Sequence, residues 1–576
     1  MLPGPIFAVE LLTTARRARY FLLRALYASI LLVAFGIVYT ESTRFSSGMD
    51  DIGRIANFTA AFFQTFSVLQ LLAVVVMGPA MAAGTIASER ERRTIEYLFT
   101  TTLTDTEIIV GKLAARCLHI GYLVLAGVPV LAIAMLLGGI SPDALCILLL
   151  MTLSTLVTVA MISTAISVFS ARASQAVIKA YLVLFVLLVL PPLAYGLQMG
   201  FGVTWFAPVN DQLLAANPFR AFVEINSAGS GPGAWAILGA MARNQLIAGA
   251  AVLVLASFMM RRVYRRQQET ATRRRRWRFQ LFRGAVGNSP MLWKEIHAEP
   301  AASRLGWVGL VAIGLLLGAV IALTYFTASE TLTSTYSRSA ENYLGYAAGM
   351  GTFIECLGLL LLGARAAGSV TSEKERQCWD SLLATPLEGR PIVNAKVLGS
   401  IWALRGLALP LAIVWVPALV FAPQFLLALF FNLATFLVLA MAVASLGVKI
   451  SLWAKNSVRA MGLTVGIGVF VGGGYLFCCT PLMWAGPGDG IEIILAPCIP
   501  FLLAFPGMIA AKGFPTHEPA IVFAYIFGNI GYLVVAAVLY NMAVGGFDRM
   551  VGRTVPGDRM RRDGPGAGGM PQSTVN

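Results

Sequence analysis

Stretches of about twenty residues with almost no charge recur along this sequence, and few folds can accommodate them. Runs such as Leu182–Leu190 and Leu310–Ile321 sit inside such stretches. In hydrocarbon every backbone N–H and C=O must find a partner within the protein, which a helix supplies from its own turns. The stretches are continuously apolar, unlike the short alternating strands of a porin-like barrel. The expected fold class is therefore an all-α polytopic membrane protein. Composition agrees: 12% of residues are charged, about half the share of a soluble domain.

Twelve spans are expected, near 21–39, 58–87, 111–137, 144–170, 175–197 and 240–260, then 305–328, 344–371, 393–421, 424–452, 457–479 and 519–544. The first apolar run follows Arg24 and leads into further spans, so it reads as an anchor rather than a cleaved leader. Basic residues sort to one side. Arg16, Arg17 and Arg19 precede the first span, Arg172 and Lys179 separate the fourth and fifth, and Lys449, Lys455 and Arg459 separate the tenth and eleventh. Eleven Lys or Arg lie from Arg261 to Lys294, directly after span six, and Arg559, Arg561 and Arg562 follow span twelve. Positive loops stay in the cytosol, which predicts cytosolic termini in a plasma (inner) membrane, of bacterial type. The net charge of +15 is thereby assigned to topology and anionic lipid at the basic linker, not to nucleic acid. The expected units are 1–260, a basic cytosolic linker 261–289, 290–548, and a disordered Gly/Pro-rich cytosolic tail 549–576.

The chain also repeats itself. Residues 80–112, AMAAGTIASERERRTIEYLFTTTLTDTEIIVGK, align without a gap with residues 364–396, ARAAGSVTSEKERQCWDSLLATPLEGRPIVNAK, and 13 of 33 positions are identical. Further anchors hold a near-constant offset: Pro5 with Glu10 against Pro290 with Glu295, Lys179-Ala180 against Arg459-Ala460, and Asn217-Pro218-Phe219 against Ile499-Pro500-Phe501. Each half has an even number of expected spans, so the copies are parallel about an axis along the membrane normal. The segments that open the halves, from Pro5 and from Pro290, mix apolar residues with charge and suit a helix lying in the interface. Pro300 shortens or kinks the second.

These residues resemble a known family. Two apolar spans separated by Ser-Glu-(Arg/Lys)-Glu-Arg, then an acidic residue with Leu, then (Thr/Ala)-Thr-(Thr/Pro)-Leu, then a Lys opening the next span, are similar to the ABC-2 type permeases of ABC exporters. The whole looks like two six-span permease units fused head to tail. The resemblance implies a coupling helix in each repeated segment, seated in a groove on a separate ABC ATP-binding subunit, with two ATPase copies per chain. The docking residues it implies are Glu89, Glu91, Arg92, Glu96 and Leu98 in the first copy. In the second they are Glu373, Glu375, Arg376, Asp380 and Leu382. Polar side chains around leucine or aromatic anchors are what such an interface needs. The copies diverge at Gln377-Cys378 against Arg93-Thr94, and at Pro391 against Glu107, so two unequal docking surfaces are expected. The second copy also keeps Thr385-Pro386 where the first has Thr102.

The chain lacks a phosphate-binding loop of the Gly-x-x-x-x-Gly-Lys-Ser/Thr type; Gly111-Lys112 is followed by Leu113 and lacks the upstream glycine. Neither a cofactor nor a metal is expected, because the seven cysteines and three histidines show no ligand spacing. A Cys479–Cys498 disulfide is left open. Intramembrane polar residues mark candidate cavity positions: Glu355, Gln64, Gln70 and Arg405, with Arg405 and Arg365 as possible partners of Glu355. The leading expectation is the permease of an ATP-driven exporter of a hydrophobic or amphipathic molecule. The alternatives are a twelve-span secondary transporter and a non-transporting anchor for an ATPase complex, the latter with a dry interface between its halves.

Overall fold

The computed structural model describes residues 5–15, 25, 27–29, 31–32, 35–36, 51–92, 94–136, 140–202, 206–228, 231–273, 289–297, 302–333, 339–375, 377–379, 382, 388–474, 495–512 and 519–550. Every regular element among them is a helix. The first half holds α1 (Pro5–Ala15), α2 (Asp51–Ala82), α3 (Thr85–Glu91), α4 (Ile95–Phe99), α5 (Asp105–Leu125), α6 (Val128–Leu136), α7 (Pro142–Val168), α8 (Ala173–Phe201), α9 (Ala207–Ala215), α10 (Pro218–Ala228) and α11 (Pro232–Arg273). The second half holds α12 (Pro290–His297), α13 (Ala302–Thr333), α14 (Ser339–Glu375), α15 (Gly389–Trp402), a 3-10 turn (Ala403–Leu407), α16 (Ala408–Phe421), α17 (Phe425–Trp453), α18 (Ser457–Val469), a π turn (Phe470–Gly474), α19 (Ile499–Lys512) and α20 (Pro519–Met550).

Nine helices among the described residues are long and apolar enough to cross a membrane. Three of the twelve expected spans need comment. The stretch 21–39 lies largely outside the described residues. The stretch 111–137 is two helices, α5 and α6, parted at Ala126–Gly127. A Cβ on Gly127 would stand 2.8 Å from the Phe66 ring, so glycine lets the break pass close to α2. The stretch 457–479 is helical to Val469, continues as the π turn, and is described no further than residue 474. The sixth span runs on without interruption to Arg273, so the basic stretch begins as helix. Its 42 residues rise about 63 Å, roughly twice the hydrocarbon thickness. The run Arg274–Arg276 and the tail from residue 551 lie outside the described residues, as do Arg16, Arg17 and Arg19.

Each half is built round its fourth span. In the first, α7 packs on α2 and α11; in the second, α17 packs on α14 and α20. Both opening helices start at a proline, whose fixed φ suits the first helical position. The halves meet through their fifth spans. Helix α13 lies along α8, where Leu182, Val186 and Ala312 are buried together, and Phe185 stacks on Phe353 with ring centres 5.5 Å apart. At one end of the bundle, Val458 of α18 packs on the first half's cluster of Ala83, Ala87, Ala173, Ala176, Val177 and Ala180. Ile178 of α8 reciprocates on Ala367, Ile450, Ala460 and Met461. The fifth span of each half thus packs on a cluster of the other.

Helices α14 and α17 pass close at Gly447, where a Cβ would lie 2.7 Å from the Ala366 Cβ and 2.9 Å from the Ala367 backbone nitrogen. Backbone cannot yield as a flexible side chain can. Gly447→Leu should therefore destabilise the second half by about 1–3 kcal/mol or more, read as a lowered midpoint of thermal unfolding in detergent.

Candidate functional site

The two repeated acidic segments come together at one end of the bundle. Each begins where span two runs out of apolar sequence. In the first half the helix breaks at Ala83–Gly84 and restarts as α3, while in the second α14 continues to Glu375. The same hydroxyl holds both: Ser167 accepts from the N–H of Ile86 (3.1 Å) and of Ala87 (2.9 Å). Ser451 accepts from Val370 and Thr371, both at 3.0 Å. All three positions are 284 residues apart, as in the sequence alignment.

The first glutamate of each segment turns inward to a buried lysine. Lys112, 4% exposed, places Nζ 3.2 Å from Glu10 Oε1 and 3.2 Å from Glu89 Oε1. Lys396, 1% exposed, places Nζ 3.3 Å from Glu295 Oε1 and 3.0 Å from Glu373 Oε2, and donates to the Ser369 carbonyl at 3.0 Å. A buried ammonium is tolerable only when opposite charge and hydrogen bonds replace its water. Each cluster also recruits a fourth charge, from a different place. Arg116 pairs with Glu10 at 3.0 Å in the first half; its counterpart is Ser400. There Lys294 pairs with Glu373 at 2.9 Å instead, and its counterpart in the first half is Val9. The ion pairs of each cluster thus join two acids and two bases, and in the second Arg365 also acts on Glu295. They tie the opening helix, the acidic segment and span three into one unit.

The second glutamate of each segment caps a helix. Glu91 Oε2 accepts from Ala173 N at 3.3 Å, and Glu375 accepts from the N–H and hydroxyl of Ser457, each at 2.7 Å. These are the first residues of α8 and α18, whose orphan N–H groups and positive dipole ends favour a carboxylate. The Glu91 carboxylate also feels that of Glu375, with Arg172 and Arg92 nearby, so the two segments face each other. Between the glutamates, Arg90 donates to the Ser170 carbonyl (3.0 Å) and Lys374 to that of Leu452 (2.6 Å). A cation in each half thus meets the carbonyl end of span four.

The rest of the segment is braced by the last span of its own half. Tyr264 of α11 donates its hydroxyl to Glu96 and lies under Arg90. Arg261 pairs with Asp105 at 2.7 Å and sits 5.5 Å over the Phe99 ring. In the second half Trp379 meets Phe547 edge to face at 5.7 Å. Leu98 packs against the core of the first half, and Leu382 is buried in that of the second. Arg92 and Glu96 are exposed. Arg376 and Asp380 lie outside the described residues. Tyr97 is 76% exposed, has Ser381 as its counterpart, and was not among the docking residues expected from sequence. Lys112, Lys396, Glu10 and Glu295 stood out there only as markers of the repeat, although acid and base at a constant offset was the available signal.

Span three opens differently in the two halves. Thr104 and Glu107 form a reciprocal capping box: Thr104 N–H donates to Glu107 Oε2 at 2.8 Å and Glu107 N–H to Thr104 Oγ1 at 3.3 Å. The Thr104 N–H and hydroxyl hold the Glu107 carboxyl below the usual glutamate range. Its contribution is complete above the free-glutamate pKa and is lost as pH falls through the lowered one. In the second half Pro391 stands at the third helical position of α15, where its missing N–H would be unsatisfied in any helix.

The candidate cavity residues separate. Gln70 donates to Thr152 at 3.2 Å, linking spans two and four. Glu355 is fully buried and accepts from Asn432 Nδ2 at 3.2 Å. The counterparts of this pair, Leu71 and Leu148, are both buried in the first half's apolar core. Among the described residues Glu355 forms no ion pair, and Arg405 lies 5.7 Å over Trp402. Gln64 lines a cavity of about 260 Å3. Cys498 is a free thiol; Cys479 lies outside the described residues.

Removing one member of a buried ion cluster strands its partners. Lys112→Met and Lys396→Met should each cost about 3–5 kcal/mol and loosen the opening helix, read by limited proteolysis near Glu10 or Glu295. Lys112→Arg, which keeps a cation between Glu10 and Glu89, should lose less protection than Lys112→Met.

Residues 5–267 match the family model described as ABC-2 family transporter protein. No curated protein matches the chain.

Proposed function

We propose that this chain, an ABC-type membrane permease whose residues 5–267 belong to the ABC-2 transporter family, exports a hydrophobic or amphipathic molecule using separate ATPase subunits docked on its two acidic segments. The observation that carries the reading is the duplicated segment itself. Each copy is fixed to its own half through Glu89 or Glu373 and bound to a fifth span through Glu91 or Glu375. On the free side of the first copy stand Arg92 and Tyr97. A large aromatic within a polar rim suits an anchor for a partner groove.

The work would be done in three steps. ATP-driven closure of the two ATPases draws the segments together; differential affinity of the ATPases for the two arrangements supplies the free energy. The lysine clusters carry that displacement to the opening helices and span three. The Glu91 and Glu375 caps carry it to α8 and α18, the helices at which the halves meet. An apolar cavity of about 420 Å3 between the halves, lined by Leu190, Pro191, Ala194, Val209, Leu315 and Gly318 among others, supports an apolar cargo. The further partners proposed are a second ATPase copy and anionic lipid at the basic stretch 261–289, with no nucleic acid.

A second reading, an anchor that recruits an ATPase complex without moving cargo, is favoured by the ring stack of Phe185 on Phe353 between the halves. The two are separated by ATP-dependent loss of an apolar dye from vesicles holding the purified complex.

Purification of the full chain in mild detergent should recover an ATP-binding subunit and ATPase activity. Tyr97→Ala should weaken that association by about 2 kcal/mol, roughly thirtyfold, with the chain still inserted. Glu91→Lys combined with Glu375→Lys should lower it further by uncapping both fifth spans. A wild-type chain that purifies alone and inactive would overturn the docking role.

A further inference from the structure

The first half contains a cavity of about 260 Å3 at the end of the bundle opposite the acidic segments, between α2, α7 and α10. Its polar lining comes from two helices and a helix cap. Gln64 and Ser67 lie on α2, Asn226 on α10, and Ser141 caps α7. Its walls are Phe63, Ile147, Leu148, Met151, Phe222 and Ile225 among the described residues. Ser67 and Ser141 are partly committed, donating to the Phe63 carbonyl at 2.6 Å and accepting from Ala144 N at 3.2 Å. The Gln64 and Asn226 amides have no hydrogen-bond partner among the described residues.

The same place in the second half is filled. There the positions of Gln64, Ser67 and Ser141 hold Ala348, Gly351 and Phe425, which line a residual void of about 10 Å3. Trp415 replaces Leu131 and lies so close over Gly351 that a Cβ there would sit 2.7 Å from the indole nitrogen. Gly507 of α19 presses on Ala348, and a Cβ on Gly507 would lie 2.5 Å from the Ala348 Cβ. One copy of the repeat therefore excludes ligands with aromatic rings and loses its polar groups. The other keeps both the space and the hydrogen-bonding capacity. In the first half Gln64 and Asn226 are exposed, so their amides are open to an incoming polar head.

We propose that this cavity is a binding site for an uncharged amphiphile, with a hydroxyl- or amide-bearing head at Gln64, Ser141 and Asn226 and an apolar portion against Phe63, Met151 and Phe222. No charged side chain lines it among the described residues, so an ionic head would gain no counter-charge there. The volume lies just below the range of small-molecule pockets, enough for a head and a short length of chain. The site is confined to one half and lies away from the contact between halves, so the proposal does not rest on ATPase docking.

The test is photolabelling of the full chain in its membrane with a diazirine-bearing octyl glucoside, mapped by peptide mass spectrometry. Labelling of the lipid-facing surface of α17, at Leu426, Phe430 and Leu433, serves as internal reference. Labels are expected on the peptides holding Phe63–Ser67 and Phe222–Asn226, displaced by excess octyl glucoside but not by an alkyl sulfate or alkyltrimethylammonium of equal chain length. Gln64→Ala, which copies the second half and removes bulk, should lower that labelling up to about tenfold relative to the reference, the upper loss from one neutral hydrogen bond. Ala60→Leu, also copied from the second half, should lower it by occupying the space. Labelling no stronger than the reference, equal displacement by charged amphiphiles, or indifference to both variants would overturn the proposal and leave a hydrated cavity.

Discussion

A lysine with almost no exposure, gripped by two glutamates from distant parts of the chain, is the contact on which each half depends. Lys112 and Lys396 stand at the start of span three, Glu89 and Glu373 at the end of span two, and Glu10 and Glu295 on the opening helices. Apolar side chains cannot fix the relative heights of helices in lipid, since sliding one past another exchanges like for like. A buried charge cluster can, because any displacement strands an ion. The acidic segments are therefore less a free loop than the rigid corner of each bundle. Their outward-facing residues can act on the spans only because their inward-facing ones are bound.

The two halves preserve this arrangement while varying its parts. The fourth charge comes from Arg116 in one and Lys294 in the other. A reciprocal capping box opens span three in one and a first-turn proline in the other. A side-chain pair joins spans two and four in each half, Gln70 to Thr152 and Glu355 to Asn432, displaced by a single position along span two. What is retained is the physical requirement, whether neutrality, a satisfied helix start, or one interhelical hydrogen bond, and not the residue that meets it.

Much of the architecture was legible because hydrophobic length and charge asymmetry report directly on the bilayer. The repeat likewise exposed Glu89, Glu91, Glu373 and Glu375 at a fixed offset. Their division of labour was not legible. Neighbouring acids on a helix look alike in sequence, and only the arrival of Lys112 on one side and the start of α8 on the other makes Glu89 an ion-pair partner and Glu91 a cap. The break at Gly127 was missed because apolarity continues through it; the close approach of Phe66 that favours glycine there comes from span two. Glu355 invited an arginine partner by charge alone, whereas the fourth span supplies Asn432, a neutral donor that periodicity cannot flag.

The shifted fourth charge carries a consequence for how such a chain can change. The opening helix and span three of one half are matched to each other, not to their counterparts. Grafting the second opening helix onto the first half would gather Glu295, Glu89, Lys294, Lys112 and Arg116, an excess of one cation. The reciprocal graft would remove Lys294 and leave Glu373 paired with Lys396 alone. Similar as they are in outline, the halves are no longer interchangeable parts, and recombination between them would be selected against at these ion pairs.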